Sequence, residues 1–592
     1  MSGYQPPLDD INFTLNHIAR LEDVAKLNGF QHADPATVSG LLEEAGRFFS
    51  EVMAPLNKVG DEQGSTLGDS GVTTPDGFKD AWDKYFASGW GGAHFPEEWG
   101  GGGLPYTVGI GIQEMFKTAN MAFSLCAMLT QGAVDALLEH GSPEQQAAYL
   151  DKLVTAEWSG TMNLTEPEAG SDVGALRTRA ERRDDGTYRI FGTKIFITWG
   201  DQDLTDNVIH LVLARTPDAP AGTRGISMFI VPKFVLDENG EPGERNDIEI
   251  VSLEHKLGIH ASPTCVVSFG ADGDGAVGYL LGDEQQGMRN MFTMMNVARI
   301  AVGLEGLAIG ERSYQQAVGY ARERVQGRKT GSDSSDDVAI IEHPDVRRML
   351  LTMKAHNQAM RSMLYLTASE SDFAAHAESD ERRKLAADRV AVLTPLVKAW
   401  CTDVGVELAS IGIQVHGGMG YVEETGAAQH LRDSRIAPIY EGTNGIQAID
   451  LLTRKLPMED GAVVERMIAE MTETVPALES HSELSDLAPV LSSAIEGLSE
   501  TSQWLLTALS EKEIEDALSG ATPYLRQFAT VVGGWLMARA ALAAVDGPDA
   551  GSDFNLDKVN TARFFVEHVL PQANGLIPTI CGGAELLEKA IL

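Results

Sequence analysis

Apolar residues recur every three or four positions through TVSGLLEEAGRFFSEVM (37–53), which predicts an amphipathic helix. SPEQQAAYLDKLV (142–154) opens with Ser142, Pro143 and Glu144, the start of a capped helix. Between them, GWGGAHFPEEWGGGGLP (89–105) is too rich in Gly and Pro for a regular element. From residue 159 the period changes. TYRIFGTKIFIT, VIHLVLART, GISMFIVP, IEIVSL and TCVVSFG are short runs rich in Val, Ile, Phe and Thr, separated by turn residues. They predict a compact antiparallel β-domain to about residue 282. Helical spacing then returns, as one long buried helix over 288–324, a polar loop at 331–337, and two long helices near 344–376 and 380–413. After Pro457 the pattern stays helical but is more acidic. The expected fold class is a multidomain α+β protein. It has an N-terminal helical domain (1–158), a central β-domain (159–282), a helical bundle (283–457) and a C-terminal helical extension (458–592).

A length of 592 residues fits three or four packed units, and 43% hydrophobic with 22% charged residues is ordinary globular composition. The net charge of −39 changes the picture more. Such a chain repels nucleic acid and anionic lipid, so an anionic ligand must be met by backbone amides, helix starts and a few arginines. The four cysteines (Cys126, Cys265, Cys401, Cys581) form no metal-like pair and suit a reducing, cytoplasmic setting. MSGYQPPLDD lacks the basic and apolar regions of a signal peptide. No membrane span is expected, because the nearest candidate, 531–545, carries Arg539 and reads as a buried bundle helix.

Four segments carry candidate chemistry. MNLTEPEAGSDVGAL (162–176) offers Thr165, Ser171 and the amides around Gly170 as donors to a phosphate or heterocycle, or is a plain Ser/Gly loop. In KIFITWG (194–200), strand alternation puts Phe196 and Thr198 on one face and Trp199 on the other. One aromatic beside one donor suits a planar ring, although a strand core explains the aromatics equally well. The paired glycines of IQVHGGMGYVEE (413–424) either end a helix or admit a phosphate close to backbone. In IYEGTNGIQAIDLLTRKLP, Thr443 or Asn444 can cap a helix running to about Lys455. Just before it, Glu441 sits between an apolar run and a glycine, with no nearby charge in sequence to neutralise it.

Taken in this order, T-E-P-x-A-G-S-D, K-x-F-I-T, x-H-G-G-x-G-Y and R-D-x-R-I-x-x-I-Y-E-G-T resemble the acyl-CoA dehydrogenase family of flavoproteins over about residues 30–457. The extension resembles that of the family's long bacterial branch, which includes 3-methylthiopropanoyl-CoA and broad-range fatty acyl-CoA dehydrogenases. The resemblance implies the acyl-CoA dehydrogenase fold and FAD as cofactor. It also implies oxidation of an acyl-CoA thioester to a trans-2-enoyl-CoA, with electrons passed to electron-transferring flavoprotein. Glu441 takes the family's place for the base that removes the α-proton, while a hydride leaves the β-carbon for the flavin. An apolar surround of Ile436, Ala437, Ile439 and Tyr440 would raise its proton affinity. In some members the base instead precedes the central-helix arginine; here that position is Ala298.

By the same resemblance, Thr165, Ser171, Phe196 and Thr198 bind FAD, and Ser171 also touches the CoA arm. Arg299 is structural or orients the site, and counts with Ser171 as a substrate-binding candidate. Arg324, Gln414, Gly417 and Gly418 reach the cofactor of a neighbouring subunit, and Thr443 lies beside its ADP portion. A cofactor shared in this way implies at least a dimer, and in long relatives the extension covers the surface that tetrameric short members use, which implies a homodimer. Two positions depart from the family pattern: Asn444-Gly445 stands where some members have Ser-Gln, and Gly327-Arg328 replaces an aromatic after the interface arginine. Ala122, Ser124 and Ala127 are small residues on the helix expected to floor the acyl cavity. An acyl-CoA oxidase using oxygen is the nearest rival. A DNA-associated flavoprotein of the same fold would need a basic surface that this acidic chain lacks.

Overall fold

The β-branched and aromatic runs pair into one eight-stranded sheet in the computed structural model, which describes residues 3–331, 333–547 and 549–591. Its strands are β1 (Ser159–Asn163), β2 (Arg179–Arg182), β3 (Tyr188–Thr198), β4 (Val208–Arg215), β5 (Ile226–Pro232), β6 (Ile248–Leu253), β7 (Thr264–Phe269) and β8 (Ala276–Leu280). They lie in the order β6-β7-β3-β8-β5-β4-β1, with β2 against β3 and β4. The pairing is antiparallel except at β1, which runs parallel to β4 from Ser159↔Val208 to Asn163↔Val212, and at one β2–β4 bridge. The expectation of an antiparallel β-domain is therefore corrected at this edge. The chain passes through two other strands between β1 and β4, so no hairpin forces them to oppose. β4 and β5 are buried almost throughout and read as continuous apolar runs rather than alternating ones.

The helical expectations are met closely. Pro35–Phe48 continues into a wider turn over Phe49–Met53. Pro143–Val154 begins at Ser142, whose side chain accepts from the Gln145 amide while Gln145 caps in return. Gly287–Glu323, Pro344–His376 and Asp380–His416 are the three long helices. The segment 89–105 holds only short turns, Trp90–Gly92 and Glu97–Trp99.

Among the described residues, three helices are long and apolar enough to cross a membrane: Met121–His140, Gly287–Glu323 and Ala521–Asp546. Sequence reading singled out only part of the last. At least 78% of each apolar window is buried inside the chain, so their apolarity is used in packing.

The chain divides into two compact units. One comprises Met1–Gly46, Pro105–Thr118 and Arg299–Leu592; the other comprises Arg47–Leu104 and Ala119–Ala298. In the first, helices Gly287–Glu323 and Asp380–His416 cross with their backbones touching. A Cβ on Gly306 would lie 2.0 Å from the Cys401 carbonyl oxygen, so only glycine permits this approach. The crossing brings the middles of both helices to one place.

The extension belongs to the same unit. Its helix Ala521–Asp546 lays Gly533 against Trp400 and Ala359. The unit also buries a charged cluster. Arg361 donates to Glu114 at 2.7 Å and to Glu311 at 3.3 Å, and pairs with Asp10. Lys558, from the extension, pairs with the other oxygen of Asp10.

Candidate active site

Glu441 lies on a tight turn between Tyr440 and the short helix Asn444–Asp450. The Ile439 amide donates to the Ile436 carbonyl at 2.8 Å, and the Asn444 amide donates to the Pro438 carbonyl at 3.0 Å. These bonds close the loop so tightly that Glu441 takes φ +55° and Gly442 φ +84°. A non-glycine residue in this left-handed region costs about 1–2 kcal/mol and marks a position that its surroundings enforce. Thr443 caps the helix, its Oγ1 accepting from the Ile446 amide at 3.2 Å. The sequence left Thr443 and Asn444 open as caps, and Thr443 takes the role.

Asn444 is held elsewhere. It donates to the Ala399 carbonyl, Thr402 Oγ1 and Asp403 Oδ1, the last at 2.8 Å. Its Oδ1 accepts from Lys398 Nζ at 2.8 Å, and the same Nζ donates to the Ala437 carbonyl at 3.0 Å. Lys398 thus clamps both ends of the turn.

Glu441 is half-buried. Burial pushes its carboxyl above the ordinary range, against the opposing fields of Arg299 and Lys398. Arg299 is buried beside the turn, with Nη2 3.7 Å from where a Cβ on Gly442 would sit. Lys398 is itself pushed down to about 8 by burial, against Glu441 and Glu305. The result is a carboxylate with raised proton affinity whose charge is balanced by two cations. That combination suits a base for a weakly acidic C–H group.

Tyr440 donates from its hydroxyl to Glu305 Oε2 at 2.6 Å. Glu305 is fully buried, 3.9 Å from Lys117 Nζ. Sequence reading passed over Glu305, Lys398 and Lys117. The available signal was a lone charge inside an apolar run, as in VGLEGLAIG and TPLVKAW.

In the other unit, Thr165, Phe196 and Thr198 come together. The Ile195 amide donates to the Thr165 carbonyl at 2.9 Å. Lys194 donates to the Leu164 carbonyl and to Glu166 Oε1, at 2.9 and 2.7 Å. Glu166 also accepts from Thr178 Oγ1 at 2.6 Å and the Arg177 amide at 2.6 Å, so one buried acid pins the whole loop. Sequence reasoning misses this role, although Glu166 lies inside T-E-P-x-A-G-S-D. Burial against this partner pushes Lys194 down to about 8.

Between Lys194 and Ile197, β3 carries two residues against one on β7, a bulge that puts Phe196 at φ +59°. The ring is turned outward and 59% exposed, while its neighbours Ile197 and Trp199 are buried. Trp199 packs on Phe123 and donates to the Ala122 carbonyl at 3.1 Å, so it is a core residue. An exposed ring held by a bulge, with Thr198 half-buried two residues on, fits a planar heterocycle such as a flavin. Ser171 is exposed on the same loop. Ala122, Ser124 and Ala127 are buried, and the Ser124 hydroxyl is turned onto the Met121 carbonyl.

The remaining predicted positions lie at the ends of the long helices in the first unit. Arg324 is exposed and donates to Gln326 Oε1. Gln414, Gly417 and Gly418 are exposed, and Gly417 ends its helix at φ +61°. Tyr320 stacks on His416 with ring centroids 4.6 Å apart, which ties the two helix ends together.

The chain belongs to the acyl-CoA dehydrogenase family. Models of that family's N-terminal, middle and C-terminal domains match residues 38–157, 161–271 and 285–456, and an acetyl-CoA dehydrogenase C-terminal-like model matches 467–590. The chain is 46% identical to a 3-methylmercaptopropionyl-CoA dehydrogenase of Ruegeria pomeroyi, over 96% of this chain and 97% of that one. It is 33% identical to a broad-specificity linear acyl-CoA dehydrogenase of Mycobacterium tuberculosis, over 96% of each. Among solved structures, Caenorhabditis elegans ACDH-11 in complex with C11-CoA matches with a TM-score of 0.78 at 21% identity, covering 96% of this chain and 93% of that one.

Proposed function

We propose that the protein oxidises an acyl-CoA thioester to its trans-2-enoyl-CoA, with Glu441 as the base. The observation that carries this reading is the strained, half-buried Glu441 turn, held between Arg299 and Lys398. Phe196, Thr198, Thr165 and Ser171 would hold FAD, which would supply the hydride acceptor when bound. The carboxylate of Glu441 takes the α-proton, and its raised proton affinity brings it closer to that of the carbon acid. Arg299 orients the turn and balances its charge. Electron-transferring flavoprotein then takes the electrons.

For the substrate, we favour 3-methylthiopropanoyl-CoA, with short- and medium-chain fatty acyl-CoA behind it, because the 46% identical relative bears that specificity in its name. A homodimer completes the cofactor site. Met419, Tyr421 and Val422, which follow Gly417 and Gly418, and Val325, which follows Arg324, are exposed apolar side chains suited to burial against a second copy.

An anaerobic titration of the flavin absorbance with 3-methylthiopropanoyl-, butanoyl-, octanoyl- and palmitoyl-CoA tests the reading, with Glu441→Gln alongside. Bleaching by one thioester, lost in a variant that keeps its flavin, is the expected result. Bleaching of the variant at the wild-type rate removes Glu441 from the mechanism. Rapid peroxide formation in air would make the enzyme an oxidase.

A further inference from the structure

Glu305 is a buried acid without an assigned role. It lies on Gly287–Glu323 where that helix crosses Asp380–His416, and its Oε2 accepts the Tyr440 hydroxyl at 2.6 Å. Among the described residues its other oxygen has no hydrogen-bond partner, and Lys117 on Tyr106–Ala119 lies 3.9 Å away. The groups acting on it are Lys117, Lys398 on Asp380–His416, and Tyr440 and Glu441 on the turn. A buried carboxyl with one oxygen unbonded is costly to keep for packing alone.

Tyr440 is joined by a single peptide to Glu441. Gripping its ring from one side, while Lys398 holds Ala437 and Asn444 from another, leaves the left-handed Glu441 backbone little freedom. Gln447 adds only long bonds of 3.5 Å to the Glu441 and Gly442 carbonyls. The Tyr440–Glu305 bond is the shortest contact on the turn.

We propose that Glu305 is a positioning residue for the base. It grips Tyr440 so that the turn presents Glu441 in one orientation, and it places a second carboxyl in the electrostatic surroundings of Glu441. The inference rests on the reading of Glu441 as the base.

The geometry also gives it a pH signature. Burial, with a smaller push from the Glu441 charge, raises Glu305 to about 7 against Lys117, Tyr440 and Lys398. The coupling is mutual: as Glu305 ionises near neutral pH, its negative charge strengthens the hold of Glu441 on a proton and makes Glu441 the stronger base. The wild-type kcat profile should therefore carry an ionisation near pH 7 in addition to that of Glu441.

The test compares holoenzymes of wild type, Tyr440→Phe, Glu305→Leu, Glu305→Gln and Glu441→Gln, using the fastest thioester of the panel. Each is first checked for FAD content and thermal midpoint. Tyr440→Phe and Glu305→Leu break the grip and should lower kcat roughly 10- to 100-fold, with KM moving less than about threefold. Glu305→Gln keeps an oxygen for the Tyr440 hydroxyl. It should retain most of the turnover at low pH but lose the ionisation near 7. Wild-type kcat in Tyr440→Phe, or a Glu305→Gln profile that superimposes on wild type, overturns the proposal. If Glu305→Leu does not fold, the isosteric Tyr440→Phe and Glu305→Gln decide. Turnover by Glu441→Gln would sink the underlying base assignment. An inert Glu441→Gln beside wild-type behaviour in the others would sink this inference alone.

Discussion

Arg361 is 1% exposed and faces three carboxylates: Asp10, Glu114 and Glu311. Two of its nitrogens donate to Glu114, at 2.7 and 2.9 Å, and Tyr365 donates to the same carboxylate at 2.7 Å. The only other cation paired with this cluster among the described residues is Lys558, which pairs with Asp10. Arg361→Met fills the space but leaves three acids against one cation. Breaking a buried pair in this way costs about 3–5 kcal/mol, because the remaining charges lose their compensation. For a unit of this size that corresponds to a fall of about 5–10 °C in the midpoint of thermal unfolding.

The loss must also depend on pH in one direction. In the wild type, burial raises the Asp10 carboxyl, but Lys558 and Arg361 together hold it below its ordinary range. Its contribution is therefore present above the unfolded value of about 4 and disappears only as pH falls through the lower folded value. In the variant, Asp10 and Glu114 lose the guanidinium field that lowers them, and their carboxyls move upward. Their stability is then present below about 4 and is lost as pH rises. The gap between wild type and variant should be widest at neutral pH and narrow toward pH 5. Scanning calorimetry at several pH values measures it. A gap under about 1 kcal/mol, or one that does not change with pH, would refute the claim that Arg361 neutralises this cluster.

Glu305→Gln should also flatten the pH dependence of stability. The folded carboxyl is raised from 4.5 to about 7, so its contribution is full below 4.5 and lost as pH rises to 7. That amounts to about 3 kcal/mol, read from urea midpoints across this window. Gly442→Ala would place a Cβ 2.7 Å from Gln447 Nε2 at φ +84°, and should lower both stability, by about 1–2 kcal/mol, and turnover. An unchanged kcat would mean the turn is not held as described. Phe196→Ala should weaken flavin retention on gel filtration without changing the unfolding free energy of the apoprotein by more than about 0.5 kcal/mol, because the ring is exposed. A large stability loss would place the ring in the core after all. Ser142→Ala should cost about 1 kcal/mol through loss of its cap to Gln145.

Local pattern determined the long helices and five of the sheet's eight strands; Ser159–Asn163, Arg179–Arg182 and Ala276–Leu280 had no run that marked them. The switch from a period near 3.6 to strand-like runs at 159, and back at 287, marks where helices give way to the sheet, and caps such as Ser142 and Thr443 set helix starts. These features are legible because each depends on residues close together in the chain. The acid at 441 was legible too, through its motif. Its environment was not. In sequence it has no neutralising neighbour; in the fold, Arg299, Lys398 and Glu305 arrive from two helices that cross where Gly306 lets backbone touch backbone.

The same holds for Phe196. Simple alternation places it on one strand face with Thr198, and only the bulge against β7 turns the ring out to solvent while Trp199 stays in the core. The parallel pairing of β1 with β4 likewise depends on which strand the chain returns to, which no local pattern encodes. Propensity and capping are short-range effects, and one chain carries them. Proton affinity, charge compensation and the aim of a side chain depend on groups that are neighbours only once tertiary packing has closed.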